Sequence, residues 1–376
     1  MKVAIVAGAR PNFVKVAPLL RAIGALGDNR VEPLLVDTGQ HYDDAMAAAF
    51  FGDLQLPRPR HSLRAGSGSH ALQTATVMER FEPILLEERP DLVVVVGDVN
   101  STLACALVAA KVGVPVAHIE AGLRSFDRTM PEEINRIVTD TLSDLLFTTE
   151  QSANDNLKRE GIAADKIFFV GNVMIDSLRW AEPLVQRSSI LDRLGVDHGE
   201  YLLVTLHRPA NVDDPRRLTG IVEMLNELSG EVPVLFPAHP RTLARLSTLA
   251  GHARLEPVAL ADGKARARRG AVTLIGALPY IDFLRLSSAA RLVLTDSGGV
   301  QEETTCLGVA CLSLRDNTER PITTEVGTAV LAGTDPSRVL PMARAALNGG
   351  RKAPCMPPLW DGHAAERIVR VLLQHH

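Results

Sequence analysis

Short apolar runs alternate with helical patterns along the whole chain. Six runs in the first half predict strands: Lys2–Ala7, Pro33–Asp37, Leu92–Gly97, Val116–Glu120, Leu145–Thr148 and Ile167–Val170. Apolar positions at helical spacing separate them, over Phe13–Leu26, Ala71–Glu88, Ser101–Val112, Glu132–Leu142 and Ala153–Glu160. Because the strand runs are apolar throughout and alternate with helices, they predict a parallel sheet that helices cover on both faces.

The same alternation begins again in the second half of the chain. The predicted strands there are Tyr201–Leu206, Pro233–Pro237, Val272–Ile275, Leu292–Thr295 and Ala310–Leu314, with helical patterns at Pro215–Leu228 and Tyr280–Ser287. A proline-rich break at Pro354–Pro358 precedes a last helix, Gly362–Gln374. The sequence therefore predicts an α/β chain of two Rossmann-like, doubly wound domains, 1–170 and 171–361, joined within Gly171–Gly195.

Composition narrows the classes of protein that this chain can belong to. Its 376 residues are 46% hydrophobic and carry a net charge of −4, which favours neither nucleic acid nor an anionic membrane as a partner. No apolar run approaches the roughly 20 residues of a membrane span, and Val3–Ala7 is followed at once by Gly8, unlike a signal peptide. The four cysteines form no C-x-x-C pair, so we expect a cytoplasmic protein.

Ligands of open parallel sheets bind beyond the carboxyl ends of the strands. The loop after the first predicted strand reads Gly8-Ala9-Arg10-Pro11-Asn12, with Lys15 one turn into the helix. Helix N-terminal N–H groups together with Arg10 and Lys15 would form an anion site suited to a diphosphate. The alternative is a tight turn with two surface cations.

A second glycine-rich loop opens the helix that follows Leu292–Thr295. Backbone N–H groups of Ser297, Gly298 and Gly299 would approach phosphate oxygens, and Glu303 lies one turn later, where a carboxylate can accept ribose hydroxyls. Arg320 follows another strand and is a plausible further phosphate cation. The alternative is a glycine turn whose acidic residues are favoured by the helix dipole.

Several acids and one histidine stand at predicted strand ends or at a helix start. Asp98 and Glu120 end apolar strands, where a carboxylate is costly without a partner or a task. Glu132 follows Pro131 at a helix start, where a first-turn acid is also common without any function. His207 follows a strand beside Arg208. The chain has no G-x-G-x-x-G fingerprint and no metal-ligand spacing, so we expect neither NAD nor a metal as cofactor.

Taken in order, these segments resemble the non-hydrolysing UDP-N-acetylglucosamine 2-epimerase family along nearly the whole chain. The matching segments are Gly8–Pro11, Gly39–His41, Gly97–Thr102, His118–Arg124, Met130–Arg136, His207–Pro209, Asp296–Glu303 and Arg315–Pro321. The resemblance implies a glycosyltransferase-B-like fold with UDP held in a central cleft between two domains. It also implies a homodimer and a C-terminal helix, 362–376, that joins the first domain.

The resemblance also implies roles for individual residues. Arg10, Lys15, Asp98, Glu120, Glu132 and His207 correspond to functional positions of the family. Tyr280 and Phe283 fall in the stretch that borders the uracil. Ser297, Gly298, Gly299, Glu303 and Arg320 correspond to UDP-binding residues.

Some positions depart from the family's commonest pattern. Ser69-His70 stands where many bacterial members carry the Arg-Gln pair of an allosteric site, although Gln40 of that region is kept. The expected reaction is the interconversion of UDP-N-acetylglucosamine and UDP-N-acetylmannosamine through a glycal intermediate. Three alternatives stay open: a hydrolysing 2-epimerase, a 2-epimerase of a modified UDP-2-acetamido sugar, and a catalytically idle UDP-sugar-binding protein.

Overall fold

The computed structural model describes residues 1–8, 10–28, 30–39, 51–249, 255–258, 266–350, 352–353 and 355–375, with Arg10 described by its backbone alone. Their contacts divide the chain into two compact units. The first unit comprises Met1–Trp180 with Pro358–His376, and the second comprises Ala181–Pro357. The domain boundaries expected from the sequence, at residues 170 and 361, stay a prediction.

The first unit is built on a seven-stranded, wholly parallel sheet with the order β3-β2-β1-β4-β5-β6-β7. Its strands are β1 Lys2–Ala7, β2 Glu32–Asp37, β3 His61–Ser62, β4 Leu92–Val96, β5 Val116–Ile119, β6 Leu145–Thr148 and β7 Ile167–Phe169. Its helices are α1 Arg10–Ala25, α2 His70–Glu88, α3 Asn100–Val112, α4 Pro131–Leu142, α5 Gln151–Arg159 and α6 Val173–Val185, the last of which continues past Trp180. All six predicted strands are confirmed to within one residue, and only the two-residue β3 was not predicted.

The second unit repeats this plan with the order β10-β11-β9-β8-β12-β13-β14. Its strands are β8 Leu202–Thr205, β9 Val234–Pro237, β10 Leu255–Val258, β11 Val272–Ile275, β12 Leu292–Thr295, β13 Cys311–Ser313 and β14 Ala329–Leu331. Its helices are α7 Ile190–Leu194, α8 Pro209–Val212, α9 Pro215–Ser229, α10 Pro240–Ser247, α11 Tyr280–Ala289, α12 Gly298–Leu307, α13 Pro321–Glu325 and α14 Pro336–Leu347. The five predicted strands are present, and β10 and β14 were not predicted.

The last helix, α15 Ala364–Gln374, packs against α1 within the first unit. The carboxylate of Asp176 caps it by accepting the backbone N–H groups of Ala364 and Ala365, at 3.1 and 2.7 Å. Burial raises the pKa of Asp176 to about 6, against the lowering effect of these two hydrogen bonds. Trp360, just before the helix, is buried and donates its indole N–H to the carbonyl of Thr149.

The strands are apolar on both faces because helices cover both faces of each sheet. All five residues of β4 and all four of β12 are buried. This burial of continuous Val and Leu runs supplies most of the stabilisation of the two sheets, at about 25 cal/mol for each Å² of apolar surface removed from water. The expected class, α/β with two doubly wound parallel sheets, is confirmed.

Each sheet has one point at which the strand order reverses. In the first unit the chain leaves β1 for β2 on one side and returns to β4 on the other. In the second unit β8 stands in the same way between β9 and β12. Loops that follow such neighbouring strands diverge and leave a crevice for ligands.

Among the described residues, no helix is long and apolar enough to cross a membrane.

Candidate active site

Most residues selected from the sequence lie at one of these two reversal points. Asp98 and Lys15 belong to the loop after β4 and the helix after β1, and Glu120 directly follows the neighbouring β5. His207 and Ser297 follow β8 and β12 in the second unit. The side chain of Arg10 and all of Gln40 lie outside the described residues. Each unit therefore carries its own cluster of candidate groups.

Lys15 and Glu120 form a buried ion pair. The Lys15 Nζ lies 2.5 Å from Oε2 of Glu120, and the two side chains are 8% and 2% exposed. Glu120 itself adopts a φ of +70°, a left-handed conformation that non-glycine residues seldom occupy. Such conformations persist where the surrounding structure enforces them, and they concentrate at functional sites.

Gly97 separates β4 from Asp98 and lies directly under this ion pair. Its φ is +71°, and a Cβ atom there would lie 3.2 Å from Nζ of Lys15 and 3.7 Å from Oε2 of Glu120. Glycine therefore allows the buried pair to approach the backbone next to Asp98. Asn12 holds the same turn from α1 by donating to the carbonyl of Val96 at 2.8 Å.

Asp98 is paired with an arginine that the sequence interpretation did not select. Arg136 on α4 donates from Nε and Nη2 to Oδ2 of Asp98, at 3.1 and 2.8 Å. The Arg136 side chain is 2% exposed, whereas that of Asp98 is 26% exposed. The Asp98 carboxylate is thus partly exposed to solvent, and the buried Arg136 holds its orientation.

The two acids that open α4 differ in their surroundings. Glu132 is partly exposed and makes no hydrogen bond or ion pair within the part of the chain that the structure describes. Glu133 is buried and accepts hydrogen bonds from Ser125 and Phe126 in the preceding loop. Because successive helix residues point about 100° apart, one acid faces inward and the other outward. Glu132 is the one available to a ligand.

A second buried network supports the same loops. His118, on β5, directs Nδ1 at Oδ1 of Asp140 at 2.6 Å and Nε2 at the carbonyl of Gly97 at 2.8 Å. Burial alone would raise the pKa of Asp140, but the neighbouring His118 and Arg124 hold it below its usual value. This network fixes the carbonyl of Gly97 and thereby the turn that presents Asp98.

Asp296 organises the reversal point of the second unit. Its wholly buried carboxylate accepts the backbone N–H groups of His207 and Arg208 and the side-chain N–H of Asn211. It also lies 2.9 Å from Nδ1 of His207, whose ring is 55% exposed. Burial opposes ionisation, but these contacts keep the pKa of Asp296 below its usual value. The pairing presents the opposite ring nitrogen of His207 toward solvent.

The glycine-rich loop forms the N-terminus of α12. Ser297 is its N-cap and accepts the backbone N–H of Val300. A Cβ atom on Gly298 would lie 2.5 Å from Nη1 of Arg320 and 2.9 Å from Oε1 of Glu319. A larger residue at this position would have to displace the Arg320 guanidinium and the Glu319 carboxylate.

Arg320 is enclosed by two acids. Its Nε lies 2.6 Å from Glu302, its Nη1 lies 2.5 Å from Glu319, and its side chain is 7% exposed. Glu319 also pairs with Arg315 at 2.6 Å and approaches Arg208 at 3.5 Å. Three arginines therefore meet two glutamates at the start of α12, and the carboxylate of Asp296 lies beside Arg208.

Glu303 is buried beside Tyr280, whose hydroxyl lowers the pKa of the Glu303 carboxyl. Burial and the neighbouring Glu302 raise the pKa of Glu303 to about 8. The side chain is therefore largely protonated at neutral pH, so it can donate as well as accept a hydrogen bond. Phe283, one turn along α11, packs at the edge of the apolar cluster under that helix.

The profile of the UDP-N-acetylglucosamine 2-epimerase family matches residues 25–373. The chain belongs to this family. A UDP-N-acetylglucosamine 2-epimerase of Methanocaldococcus jannaschii is 42% identical over 99% of both chains. A UDP-2,3-diacetamido-2,3-dideoxy-D-glucuronate 2-epimerase of Pseudomonas aeruginosa is likewise 42% identical over 99% of both.

A solved structure of this epimerase family agrees with the whole fold. The crystal structure of the Methanocaldococcus jannaschii UDP-GlcNAc 2-epimerase, in complex with UDP-GlcNAc and UDP, has a TM-score of 0.87 at 40% identity and covers 100% of both chains. The epimerase resemblance inferred from the sequence is thus confirmed, as is the glycosyltransferase-B-like fold class.

Four buried groups of the candidate site were not selected individually from the sequence: Asp296, Arg136, Glu302 and Glu319. Asp296 could have been found, because it directly follows a predicted apolar strand, as Asp98 and Glu120 do. Arg136 and Glu302 could not, because the partners that place them at the site, Asp98 and Arg320, lie on other elements. The role of Glu319 follows only from its contacts with Arg315 and Arg320. Among the described residues, no group of three His, Cys, Asp or Glu side chains could hold a metal ion.

The Lys15–Glu120 pair should be essential to the stability of the first unit. Replacing Lys15 with Met leaves Glu120 buried without its cation, so we expect the free energy of unfolding to fall by about 3–5 kcal/mol. Both tryptophans of the chain, Trp180 and Trp360, lie in this unit, so urea unfolding followed by tryptophan fluorescence measures it.

The matched control is Lys166→Met, which removes a lysine from an exposed pair with Asp144 in the same unit. Exposed pairs contribute about 0–1 kcal/mol, so its unfolding midpoint should stay near that of the wild type. Equal midpoints for the Lys15 and Lys166 variants would contradict the importance of the buried pair.

Glu303 should make the second unit less stable as pH rises. Its folded pKa of about 8 exceeds its ordinary value, so between these two values the unfolded chain ionises while the folded protein stays protonated. Glu303→Gln lacks this effect, and its stability relative to the wild type should grow with pH by up to about 1.4 kcal/mol per unit below pH 8. Calorimetric unfolding between pH 5 and 9 measures the difference.

A flat difference across this range would mean that Glu303 ionises normally. The control Glu227→Gln changes an acid that is 53% exposed on α9 of the same unit. Its difference from the wild type should not vary with pH in this window.

Proposed function

We propose that this chain is a UDP-N-acetylglucosamine 2-epimerase that interconverts UDP-N-acetylglucosamine and UDP-N-acetylmannosamine without releasing the free sugar. One observation carries the proposal: the carboxylates of the first unit gather at adjoining strand ends and at the start of α4. Asp98 and Glu120 are each held by a buried cation, and Glu132 is left available. Inversion at a carbon requires proton transfer on both faces, which several acids can divide between them.

The chemistry explains why UDP must leave. The C2 proton of the sugar has no adjacent carbonyl to make it acidic. Departure of UDP builds positive character at C1, and loss of the C2 proton then gives a glycal with free UDP. Return of a proton to the other face of C2 and re-addition of UDP at C1 yield the epimer, so atoms and charge balance.

The second unit supplies the groups that we assign to the nucleotide. The start of α12, with Ser297, Gly298 and Gly299, would stabilise the departing diphosphate together with the guanidinium of Arg320. Glu303 would bind the ribose hydroxyls, and Tyr280 and Phe283 would border the uracil. On the family resemblance, we also assign Arg10 and Lys15 of the first unit to substrate binding.

His207 is the histidine that we assign to the reaction. Its Nδ1 is held by Asp296, so its other ring nitrogen has a defined direction. An imidazole oriented in this way can contact the diphosphate or exchange a proton with the substrate. We place Asp98, Glu120, Glu132 and His207 in the catalytic group.

The similarity to one relative supports a second candidate substrate. The Pseudomonas aeruginosa relative is as similar to this chain as the archaeal one, and its name gives a diacetamido uronate as its substrate. The same elimination and re-addition would serve that sugar.

We also infer from the family resemblance that the enzyme works as a homodimer in the cytoplasm.

Proton NMR in heavy water tests the function directly. Purified protein incubated with UDP-N-acetylglucosamine should place deuterium at C2 and form UDP-N-acetylmannosamine, with the bond to UDP intact. The same experiment with the diacetamido uronate as UDP-sugar tests the second candidate. Boiled protein serves as the control.

Each other outcome of that experiment has a defined meaning. Accumulation of free N-acetylmannosamine and UDP would show a hydrolysing enzyme and overturn the non-hydrolysing proposal. Exchange only with the uronate would move the substrate to the modified sugar. Absence of exchange with either sugar would contradict the assignment as a 2-epimerase of these substrates.

The carboxylates should be needed for turnover more than for binding. Asp98→Asn, Glu120→Gln and Glu132→Gln should each lower kcat by about 10²-fold or more, the range of general acid–base catalysis. UDP affinity, measured by calorimetry, should change less than kcat, because most of the groups assigned to the nucleotide belong to the second unit. The control Asp144→Asn alters a half-exposed acid of the first unit and should keep full activity. Near-normal turnover in all three variants would refute the mechanism.

A further inference from the structure

A chain of buried contacts links Asp98 to the loop that precedes α4. Arg136 donates two hydrogen bonds to Oδ2 of Asp98 and one, from Nη1, to Oε2 of Glu133. Glu133 in turn accepts the backbone N–H and the hydroxyl of Ser125, both at 2.9 Å, and the backbone N–H of Phe126 at 2.9 Å. The chain therefore runs from the loop through Glu133 and Arg136 to Asp98.

Glu133 is in no position to act on a substrate itself. It is 1% exposed, and four donors already occupy its two oxygens. Arg136, 2% exposed, is likewise committed to two carboxylates. Two buried charges with satisfied hydrogen bonds define one geometry, because any rotation of either side chain leaves a charge without its partner.

The same acid also fixes an unusual loop. Phe126 has a φ of +58° and an exposed side chain, and its backbone N–H is held by Oε1 of Glu133. Ser125 and Asp127 continue the loop, in which Thr129 donates to Asp127 at 2.6 Å. Glu133 therefore couples the conformation of this loop to the orientation of Asp98.

We propose that Arg136 and Glu133 are positioning residues that orient the Asp98 carboxylate and keep it ionised for proton transfer. The proposal rests on the function assigned above. Arg136 supplies the direct contact and the charge, and Glu133 fixes the arginine. Arg136 on α4 contacts Asp98 directly, Glu133 lies behind that arginine, and Lys15 and Glu120 lie against Gly97, the residue before Asp98.

A purely architectural role predicts something different. If the Arg136–Glu133 pair only fastened α4, its loss would lower stability and leave the pH dependence of the remaining activity unchanged. If the pair positions Asp98, loss of the guanidinium makes that carboxylate easier to protonate, because a neighbouring cation favours the charged form. The acidic side of the curve of kcat against pH must then move upward.

The experiment compares Arg136→Met, Arg136→Lys and Glu133→Gln with the wild type. Arg136→Met should lower kcat by about 10²-fold, with a much smaller change in KM, and move the acidic side of the curve by about one pH unit or more. Arg136→Lys keeps the charge but not the two-point contact, so kcat should recover only in part and the curve should stay in place. Glu133→Gln should lower kcat without an upward shift, since the cation remains.

The control is Arg367→Lys, which alters a partly buried arginine on α15 of the first unit, paired with Asp361 and outside the contacts around Asp98. It should lose stability without moving the pH curve. Tryptophan fluorescence and UDP affinity establish that each variant is folded. Should Arg136→Met fail to fold, the lysine and glutamine variants decide the matter: wild-type kcat in both overturns the proposal.

The wild-type assay separates this proposal from the assigned function. Exchange at C2 by the wild type, on UDP-N-acetylglucosamine or on the uronate, establishes the reaction before any variant is compared. All variants are then measured on the substrate that the wild type uses. Wild-type inactivity on both sugars contradicts the assigned function, whereas an active wild type with an unmoved pH curve in Arg136→Met overturns the positioning role.

Discussion

The placement of charge at the carboxyl ends of buried strands is the constraint on which this structure depends. An ionised side chain taken out of water needs an opposite charge or several hydrogen bonds. Lys15 on α1 meets Glu120 after β5 across Gly97 after β4, so three neighbouring strand ends are joined by one contact. These loops therefore cannot change their conformations independently. Because the buried Glu120 must be paired with a cation, the surface loops that carry Asp98 and Glu120 are ordered as well.

The fold could be predicted from the sequence where the local signal was strong. Runs such as Leu92–Val96 are apolar at every position, and only a strand covered on both faces buries all of them. The strands that were not predicted are short or partly polar, as His61–Ser62 and Leu255–Val258 are. Their pairing depends on neighbours distant in sequence, and the same is true of the strand order that creates the two reversal points.

The candidate site shows the same division between local and distant information. Acids at strand ends were recognisable because an apolar run ends in a carboxylate. Their partners were not, since Lys15 is 105 positions from Glu120 and Arg136 is 38 positions from Asp98. The sequence interpretation treated Glu303 as a carboxylate and Arg320 as a cation free for phosphate. Burial and the neighbouring Glu302 raise the pKa of Glu303, and Glu302 and Glu319 enclose Arg320; both effects depend on how these groups pack.

The two reversal points differ in how they would meet a ligand. In the first unit the cations serve to orient acids, and the partly exposed groups are the carboxylates of Asp98 and Glu132. In the second unit Arg320 is already bound to Glu302 and Glu319, so a diphosphate would share or replace existing partners instead of filling an empty site. Such a site is charged and oriented before the ligand arrives. Its charged side chains then need little reorientation when negative charge develops on a leaving group. Electrostatic stabilisation is most effective under this condition.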